Sequence, residues 1–330
     1  MSVAFFSHEA CSLHDTGWGH PEHQGRLRAV MSAVGRALPE LHGRVEPLAG
    51  PPLDEGHLEL VHTPAHVRRV KAACGEAAGT GGIVKLDPDT AVSKGSWAAV
   101  TAAAGCAVEA ARLVLAGRYA SAFCAVRPPG HHATPDRSMG FCLFNGVALA
   151  ARSVLAEGAA RRVLIIDWDV HHGNGTQEVF YEDPDVYYLS IHQHPFYPGT
   201  GAAEDRGAGR GTGTTRNLPM APRLESVRYV EALREAIEEA ASFGPDLVLL
   251  SAGFDAGRED PIGGFTLTPA DFARLTREVA DLTAATAHGR IVSVLEGGYN
   301  PAELGRNVVA HLGALASLGS DGDPGRRRGV

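Results

Sequence analysis

Hydrophobic residues along the chain follow two different spacings from about residue 97 onward. Longer stretches place apolar side chains three and four residues apart, as one face of a helix does, whereas shorter stretches are mainly apolar at successive positions. The predicted helices occupy 97–117, 145–158, 226–244, 268–289 and a last segment from about 301. The predicted strands occupy 121–126, 161–169, 186–192, 246–254 and 290–298. The pattern therefore predicts strands and helices in alternation.

The composition of the strands indicates the kind of sheet. VLII at 163–166 and LVLL at 247–250 are apolar on both faces, which is typical of parallel strands covered by helices on each side. We therefore expect an α/β fold: a single domain over residues 1–318, with an open, mainly parallel sheet and helices on both faces. The tail at 319–330 is predicted to be disordered, and the Gly- and Pro-rich segment 193–222 to be a long functional loop.

Polar side chains follow four of the predicted strands at the point where each strand ends. RPPGHH follows the strand at 121–126, DVHHGNG ends the strand that starts at 161, and Asp255 and Tyr299 follow the last two strands. In open parallel sheets, ligands bind beyond the carboxyl ends of the strands. Four such endings on one rim predict a functional site at that edge of the sheet.

Asp169 and His171 have the spacing of metal ligands. In an extended segment alternate side chains share a face, so Asp167, Asp169 and His171 would point one way while the residues between them pack on the other side. Asp169, His171 and Asp255 together supply one imidazole and two carboxylates. A set of three ligands leaves a coordination position open, as catalytic metals require. This donor set suits Zn²⁺ best, with Fe²⁺ or Co²⁺ as alternatives.

Two histidines and a tyrosine add groups that move or donate protons. His131 and His132 follow a rigid Pro-Pro and a permissive Gly. A histidine beside a metal can take a proton from water or give one to a leaving amine. Tyr299 follows two glycines, which allow the backbone to approach the site closely, and its hydroxyl can donate to a developing oxyanion.

Composition and charge narrow the class of protein. The 330 residues include 30 Lys and Arg against 38 Asp and Glu, a formal net charge of -8, which argues against sequence-independent binding to nucleic acid. The five cysteines are scattered without a C-x-x-C pair, and the N-terminus shows no signal-peptide pattern. The Ala-rich stretch 98–116 contains Glu109 and Arg112 and is interpreted as too short and too polar to span a membrane. We expect a cytoplasmic protein with reduced thiols.

Five motifs together resemble the zinc-dependent histone deacetylase superfamily, which includes bacterial histone-deacetylase-like and acetylpolyamine amidohydrolases. The motifs are RPPGHHA (127–133), GFCLFN (140–145), DWDVHHGNGTQ (167–177), SAGFDA (251–256) and LEGGYN (295–300). The match begins near HPE at 20–22 and continues in order to about residue 300. DWDVHHGNGTQ and LEGGYN resemble the class II branch.

The resemblance implies two sets of residues at the reaction centre. The ligands of one zinc ion would be Asp169, His171 and Asp255. The residues that act on the substrate or support those that do would be His131, His132, Asp167, Asn174 and Tyr299. Asp167 would support the first histidine, Asn174 would contact the second, and Tyr299 would polarise the scissile carbonyl.

The resemblance also implies a substrate channel and a second cation. The channel for the acyl-lysine stem would be lined by Gly140, Phe141 and Tyr197, and Asp89 at its rim would hold substrate backbone amides. A monovalent cation, usually potassium, would lie behind the zinc. Its ligands would be Asp167, Asp169, His171, Ser190 and Ile191.

Asn174 departs from the class I pattern, in which an Asp stands at this position. A neutral partner raises the pKa of its histidine less than a carboxylate does, so His132 is expected to be less basic than in class I. Either histidine could take the water proton, with His132 favoured for protonating the leaving amine. Tyr299, which some branches replace with His, is retained, and this favours real activity.

The expected reaction is amide hydrolysis, with acyl-lysine in proteins or peptides as the leading substrate and an acetylpolyamine as the alternative. The segment 75–95 lacks the long insert that narrows the channel of polyamine-selective members, and longer acyl chains or a metabolite amide stay open. Arginase-like ureohydrolases need a second Asp two residues beyond the last ligand, where this chain has Gly257. A non-enzymatic acyl-lysine binding module would predict loss of Tyr299 or of a histidine, and all are present.

Overall fold

The computed structural model describes residues 1–318, so the tail predicted at 319–330 lies outside the described residues. The strands are β1 (Val3–Phe6), β2 (Val45–Leu48), β3 (Val84–Lys85), β4 (Ala91–Val92), β5 (Ser121–Cys124), β6 (Val163–Asp167), β7 (Val186–Gln193), β8 (Thr215–Met220), β9 (Leu247–Ala252) and β10 (Ile291–Leu295). Eight of them form one sheet in the order β2-β1-β5-β10-β9-β6-β7-β8, and all neighbours are parallel. A short antiparallel ribbon pairs β3 with β4.

Helices cover the sheet in two groups, which agrees with the α/β expectation. The helices are α1 (Gly25–Leu41), α2 (Glu55–Leu58), α3 (Pro64–Thr80), α4 (Ser96–Leu115), α5 (Gly146–Ala156), α6 (Asn174–Phe180), α7 (Ser226–Ala241), α8 (Pro269–Ala287) and α9 (Pro301–Leu318). In one group α1, α7, α8 and α9 pack in series, and in the other α4 packs on α5 and α3. Two short 3-10 helices lie at Glu9–Leu13 and Gly209–Gly211.

Local sequence sets the start of α8. The Thr268 hydroxyl accepts from the Asp271 N–H at 3.3 Å, and the Asp271 carboxylate accepts from the Thr268 N–H at 2.9 Å. Pro269 occupies the first helical position, where its missing N–H costs nothing. The helix ends at Ala287, two residues before the predicted end at 289.

Two expectations about irregular segments were wrong. The segment 193–222 is not a loop throughout, because β8 at Thr215–Met220 pairs with β7 at the sheet edge. An edge strand with Asn217 and Pro219 lacks the continuous apolar run that identified the central strands. The stretch after Asp167 is also not extended: the strand ends there, the chain bends, and α6 begins at Asn174.

The interpretation of the Ala-rich stretch also needs correction. The observed helix α4 has 20 residues and a mean hydropathy of 1.6 over its most apolar window, which is long and apolar enough to cross a membrane. However, 72% of that window is buried inside the fold, where the helix contacts α5, β5 and β10. Burial, and not length or polarity, therefore identifies α4 as a core helix.

Candidate active site

Four neighbouring strands finish side by side at the C-terminal end of the sheet, the side on which each strand ends. β5, β10, β9 and β6 are consecutive neighbours, and they end at Cys124, Leu295, Ala252 and Asp167. Because these strands are parallel, the loops that follow them all leave from this C-terminal end of the sheet. The polar endings identified in the sequence therefore come together in space.

Asp169, His171 and Asp255 lie at the centre of that end of the sheet. One donor atom from each lies within 4.8 Å of the others, and all three residues are buried. His171 Nδ1 is 2.9 Å from Asp169 Oδ1 and 3.3 Å from Asp255 Oδ2. The Val170 N–H donates to Asp255 Oδ1 at 2.9 Å, and the Gly297 N–H donates to Asp169 Oδ2 at 2.8 Å. The two carboxylates are thus held by the backbone.

Gly297 shows why the first glycine of LEGGYN is needed. A Cβ at this position would lie 2.0 Å from Asp255 Oδ2 and 2.6 Å from Asp169 Oδ2. Only a residue without a side chain allows the backbone N–H to reach Asp169.

Two buried carboxylates around one imidazole are strongly coupled. Burial raises the pKa of Asp255 to about 7, and repulsion from Asp169 adds to the shift. Burial opposes the positive charge on His171, but hydrogen bonds to Asp169 and Asp255 raise its pKa to about 9. Burial also opposes the charge on Asp169, but the positive His131 and His171 lower its pKa. Each carboxylate therefore depends on a neighbouring positive charge.

This donor set fits a divalent cation. Asp255 Oδ2 is buried, and its near donor is His171 Nδ1 at 3.3 Å. The single hydrogen on that nitrogen also faces Asp169 Oδ1 at 2.9 Å, so within residues 1–318 Asp255 Oδ2 has no well-formed hydrogen bond of its own. An unpaired buried carboxylate oxygen is costly, so it points to a charged ligand. A cation between the two carboxylates and His171 Nδ1 would pair that oxygen and replace the shared proton. One imidazole and two carboxylates match the donors of catalytic zinc.

His131 and His132 are both buried, with ring centroids 4.0 Å apart. His131 Nδ1 donates to Asp167 Oδ2 at 3.0 Å, and His132 Nδ1 donates to Asn174 Oδ1 at 2.8 Å. Because an amide oxygen only accepts, His132 carries its hydrogen on Nδ1 and keeps a lone pair on Nε2. The structure thus places each histidine against the partner that the sequence resemblance implied.

The two histidines carry opposite pKa shifts. Burial alone would lower the pKa of His131, but the charges of Asp167 and Asp169 outweigh it and raise the pKa well above its usual value. For His132, burial lowers the pKa, and repulsion from His131 and His171 lowers it further. His132 is therefore neutral at neutral pH, and its Nε2 can accept a proton.

The register of β6 and β7 supports the expected cation site behind the metal set. Asp167 pairs with Ser190, and Ile191 is the next residue along the buried strand. The Ser190 hydroxyl also lies 2.9 Å from Nδ1 of His192. Tyr188, which the sequence did not reveal, lies with its hydroxyl 3.2 Å from Asp167 Oδ2. Potassium binding at this position stays a prediction.

Tyr299 is 7% exposed and lies near the Asp–His–Asp set, since the charges of Asp255 and Asp169 act on its phenol. Its ring meets Phe141 edge to face at 5.8 Å, and the Arg26 guanidinium carbon lies 4.8 Å from its centroid. Its backbone N–H donates to Asp260 Oδ2 at 2.7 Å. Burial raises the pKa of Tyr299 well above its usual value, although Arg26 opposes the shift. The phenol therefore keeps its hydrogen and can act as a donor.

A buried ionic network underlies the segment that carries this tyrosine. Arg26 donates from Nε to the Gly298 carbonyl at 2.6 Å and from Nη2 to the Glu296 carbonyl at 2.5 Å. Arg26 and Arg127 both donate to the carboxylate of Glu22, at distances of 2.7 to 3.0 Å. The charged residues of the HPE and RPPGHH motifs therefore pair in the fold, a contact that the sequence did not predict.

Glu296 carries another buried carboxylate, one for which the sequence indicated no role. Its Oε2 accepts from the N–H groups of Gly130 and His131 at 2.6 and 3.2 Å, so it supports the backbone of the histidine pair. Glu296, His131 and Cys142 also place candidate donor atoms within 4.8 Å of one another. The Cys142 thiol itself donates to the Gly140 carbonyl at 3.3 Å. Within residues 1–318, the Asp–His–Asp set contains no cysteine.

Two aromatic residues flank the approach to the metal set. Phe141 contacts Tyr299 on one side, and Tyr197 meets the rings of His132 and His171 at 5.1 and 6.1 Å on the other. Phe141 has a φ of 69°, a strained backbone conformation that tends to occur at binding sites. The predicted channel residues thus lie on either side of one opening.

Asp89 lies at the rim of that channel. Its Oδ1 accepts from the Gly140 N–H at 3.2 Å and from the Thr90 hydroxyl at 2.9 Å. Its carbonyl accepts from His20 Nε2 at 3.2 Å, and the His20 ring meets Phe141 at 4.7 Å. The His of HPE, for which the sequence suggested no role, is therefore part of the rim.

A cavity of about 980 Å³ lies beside the channel. Asn174, Gln177, Asp205 and Arg210 are among its lining residues, whereas none of the three predicted zinc ligands lines it. The convergent acid–base groups, and not this cavity, therefore locate the chemistry.

Comparison with known proteins identifies the family. Residues 20–315 match the model of the histone deacetylase domain. The chain belongs to the histone deacetylase family. Histone deacetylase 15 of Arabidopsis thaliana is 39% identical over 303 residues, which cover 90% of this chain and 52% of that protein. Human histone deacetylase 7 is 38% identical over 344 residues, which cover 95% of this chain and 35% of that protein.

A bacterial family member matches over most of its own length. The histone deacetylase-like amidohydrolase of Pseudomonas aeruginosa is 35% identical over 344 residues, covering 97% of this chain and 88% of that protein. By contrast, the chain spans about half of the Arabidopsis protein and about a third of the human one. The family and these names support the expectation of a deacetylase, which is a hydrolase.

A solved family structure confirms the fold. The crystal structure of the HDA15 HD domain superposes with a TM-score of 0.89 at 37% identity, covering 96% of this chain and 88% of that one. The single-domain α/β fold with a parallel eight-stranded sheet is therefore confirmed. The zinc dependence of the histone deacetylase family agrees with the Asp–His–Asp donor set.

Proposed function

We propose that this chain is a zinc-dependent amidohydrolase that removes acetyl or other acyl groups from the ε-amine of lysine in proteins or peptides. The observation that carries the proposal is the buried set of Asp169, His171 and Asp255 beside a neutral histidine and a protonated phenol. A cation site, a base and an oxyanion donor around one opening are the groups that amide hydrolysis uses.

The Asp–His–Asp set would hold the zinc ion, since it supplies three donors and an otherwise unpaired carboxylate oxygen. When bound, zinc polarises the amide carbonyl and lowers the pKa of water. The remaining steps belong to side chains around it. Phe141 and Tyr197 would hold the acyl-lysine stem between them, because both flank the approach to the set.

His132 would take the proton of the attacking water at Nε2. Its Nδ1 hydrogen bond to Asn174 leaves Nε2 unprotonated and oriented by the neighbouring rings. When the C–N bond breaks, the same proton would pass from Nε2 to the departing lysine amine, so His132 returns to its starting state. One residue would therefore serve first as base and then as acid.

His131 and Tyr299 would stabilise the charge that develops on the carbonyl oxygen. His131 is held positive by Asp167 and Asp169, and that charge favours a nearby negative oxygen. Tyr299 keeps its hydroxyl hydrogen and can donate it in a hydrogen bond to the same oxygen. A potassium ion at Asp167, Ser190 and Ile191 would balance the buried carboxylates.

The domain bounds 1–318, a cytoplasmic location, and the absence of nucleic-acid and membrane partners stay predictions.

Hydrolysis of an acetylpolyamine is the second candidate. Asp87 and Asp89 place two carboxylates at the rim, close to Tyr197. Burial raises the pKa of the Tyr197 phenol, and the negative charges of these two residues raise it further. A rim with two carboxylates would also attract a cationic polyamine chain.

A substrate panel tests the proposal on the zinc-loaded enzyme. We expect kcat/KM to be highest for an acetyl-lysine peptide, compared with a longer acyl-lysine peptide, acetylspermidine and acetylputrescine. A higher kcat/KM for an acetylpolyamine than for every peptide would favour the second candidate. Turnover of none of these amides, with Tyr299→Phe giving the same baseline, would contradict both.

A further inference from the structure

Trp18 is the most exposed large hydrophobic side chain of residues 1–318, with a relative exposure of 106%. It lies at the tip of a tight turn in which the His20 N–H donates to the Gly17 carbonyl at 3.4 Å. Gly19 has a φ of 76°, the conformation that favours glycine at the third position of a type II turn. The turn therefore presents the indole ring to solvent.

The C-terminal side of this turn is fixed to the channel rim. The Glu22 N–H donates to His20 Nδ1 at 3.1 Å, so His20 carries its hydrogen on Nε2 and donates it to the Asp89 carbonyl. The His20 ring also packs on Phe141. Because two residues of chain span at most about 7 Å, Trp18 lies beside the mouth of the channel.

The N-terminal side of the turn is fixed as well. The Asp15 N–H donates to the Ser93 hydroxyl at 3.0 Å, and the Asp15 carboxylate accepts from the Gly17 N–H at 3.0 Å. Ile83 is 42% exposed and lies against the turn, since a Cβ on Gly17 would be 2.9 Å from its Cδ1. We call the surface of Trp18 and Ile83 the rim patch.

We propose that the rim patch binds the polypeptide chain that flanks the acyl-lysine, and thereby favours peptides over small acyl-amines as substrates. This inference rests on the proposed function. The backbone of an acyl-lysine stays outside the channel when its stem is inside, so a peptide must cross the rim. A small acyl-amine ends near the mouth and leaves Trp18 in water.

The physical character of the patch suits a peptide partner. A tryptophan displayed on a turn that is hydrogen-bonded at both ends loses little freedom when it is covered, and large aromatic residues dominate the energetics of protein interfaces. The patch adjoins the Asp89 side of the channel, so it is continuous with the site where the acyl-lysine enters. Apolar surface next to a polar rim is typical of such contacts.

Steady-state kinetics of Trp18→Ala test this inference. We expect the KM for an acetyl-lysine peptide to rise about tenfold with little change in kcat, because the lost contact is made equally in ground and transition states. The kcat/KM for acetylputrescine should stay unchanged. Trp18→Phe should keep most of the peptide affinity, and Ile83→Ala should give a smaller rise in KM. Leu38→Ala is the matched control, because Leu38 is also an exposed apolar residue, at 41%. It lies near the C-terminus of α1, which leads into the start of β2 and therefore to the end of the sheet opposite the active site.

A binding measurement gives a second, independent readout. In a Tyr299→Phe background, an acetyl-lysine peptide should change the intrinsic fluorescence of Trp18, and Trp18→Phe should abolish most of that change. Equal effects of Trp18→Ala on peptide and acetylputrescine, or no effect on either, would overturn the inference. Failure of the unaltered enzyme to hydrolyse any acyl-amine would instead overturn the proposed function.

Discussion

Glu22→Gln is expected to destabilise the fold strongly, although the Glu22 carboxylate contacts neither a metal ligand nor the substrate channel. Its carboxylate is fully buried and accepts from Arg26 at 3.0 Å and from Arg127 at 2.7 and 2.8 Å. Glutamine removes the negative charge and turns an N–H₂ group towards guanidinium donors. Two buried arginines would then share an acceptor without charge.

The magnitude follows from the cost of leaving a buried charge unpaired. Removing one partner of a buried ion pair typically costs about 3–5 kcal/mol. For a urea m value of roughly 3 kcal/mol/M, the unfolding midpoint should fall by roughly 1 to 1.7 M. Arg26 also holds the Glu296 and Gly298 carbonyls, so turnover should fall together with stability.

Equilibrium unfolding in urea, with Glu157→Gln as the control, measures this difference. Glu157 pairs with Arg112 at the surface, with 38% and 33% of the two side chains exposed. Such exposed pairs contribute at most about 1 kcal/mol. If Glu22→Gln shifts the midpoint no more than Glu157→Gln does, the reasoning from buried charge is wrong.

The same network predicts how the stability of the fold changes at acidic pH. Burial opposes ionisation of Glu22, but the two arginines hold its folded-state pKa well below the usual 4.5. The ionised form therefore stabilises the fold above about pH 4.5, and this contribution is lost as the pH falls towards the folded-state pKa. The stability difference between the unaltered chain and Glu22→Gln should shrink in acid, and a constant difference down to pH 3 would contradict the assignment.

Three further predictions concern the reaction centre. Asp169→Ala or His171→Ala should abolish both zinc content, measured by elemental analysis, and turnover; activity in a zinc-free variant would contradict the metal assignment. Tyr299→Phe should keep its zinc but lose about 3–4 kcal/mol of transition-state stabilisation, so full activity would exclude the donor role. Asn174→Asp should raise the pKa of His132, because a carboxylate favours its charged form. The acidic limb of the pH profile of kcat/KM should then move to higher pH, and an unmoved limb would contradict the contact with His132.

Five strands of the central sheet, β5, β6, β7, β9 and β10, could be predicted from the apolar pattern alone, whereas β1, β2 and β8 were not predicted. These five strands are buried on both faces, so their residues are mainly apolar and stand out in the sequence. β8 escaped detection because an edge strand needs no such run. The Asp–x–His spacing of Asp169 and His171 was also visible, since both ligands come from one short segment.

The long-range ionic and hydrogen-bond partners that support the site could not be predicted from periodicity or spacing. Glu22 and Arg127 are 105 residues apart in sequence, and Glu296 reaches the His131 backbone from 165 residues away. Their pairing depends on which strands become neighbours, and no local pattern records that.

The sequence by itself determined the fold class, the strand ends at which polar residues accumulate, and the chemical types that face the opening. Only the tertiary structure decided that burial and the neighbouring His131 and His171 keep His132 neutral. It also decided that the His132 Nδ1 faces Asn174 and leaves Nε2 free, and that Trp18 stands in solvent beside the channel. The physical reason is that periodicity and spacing act between near neighbours along the chain. Burial, charge and hydrogen-bond partners depend on groups that meet only after the sheet has assembled.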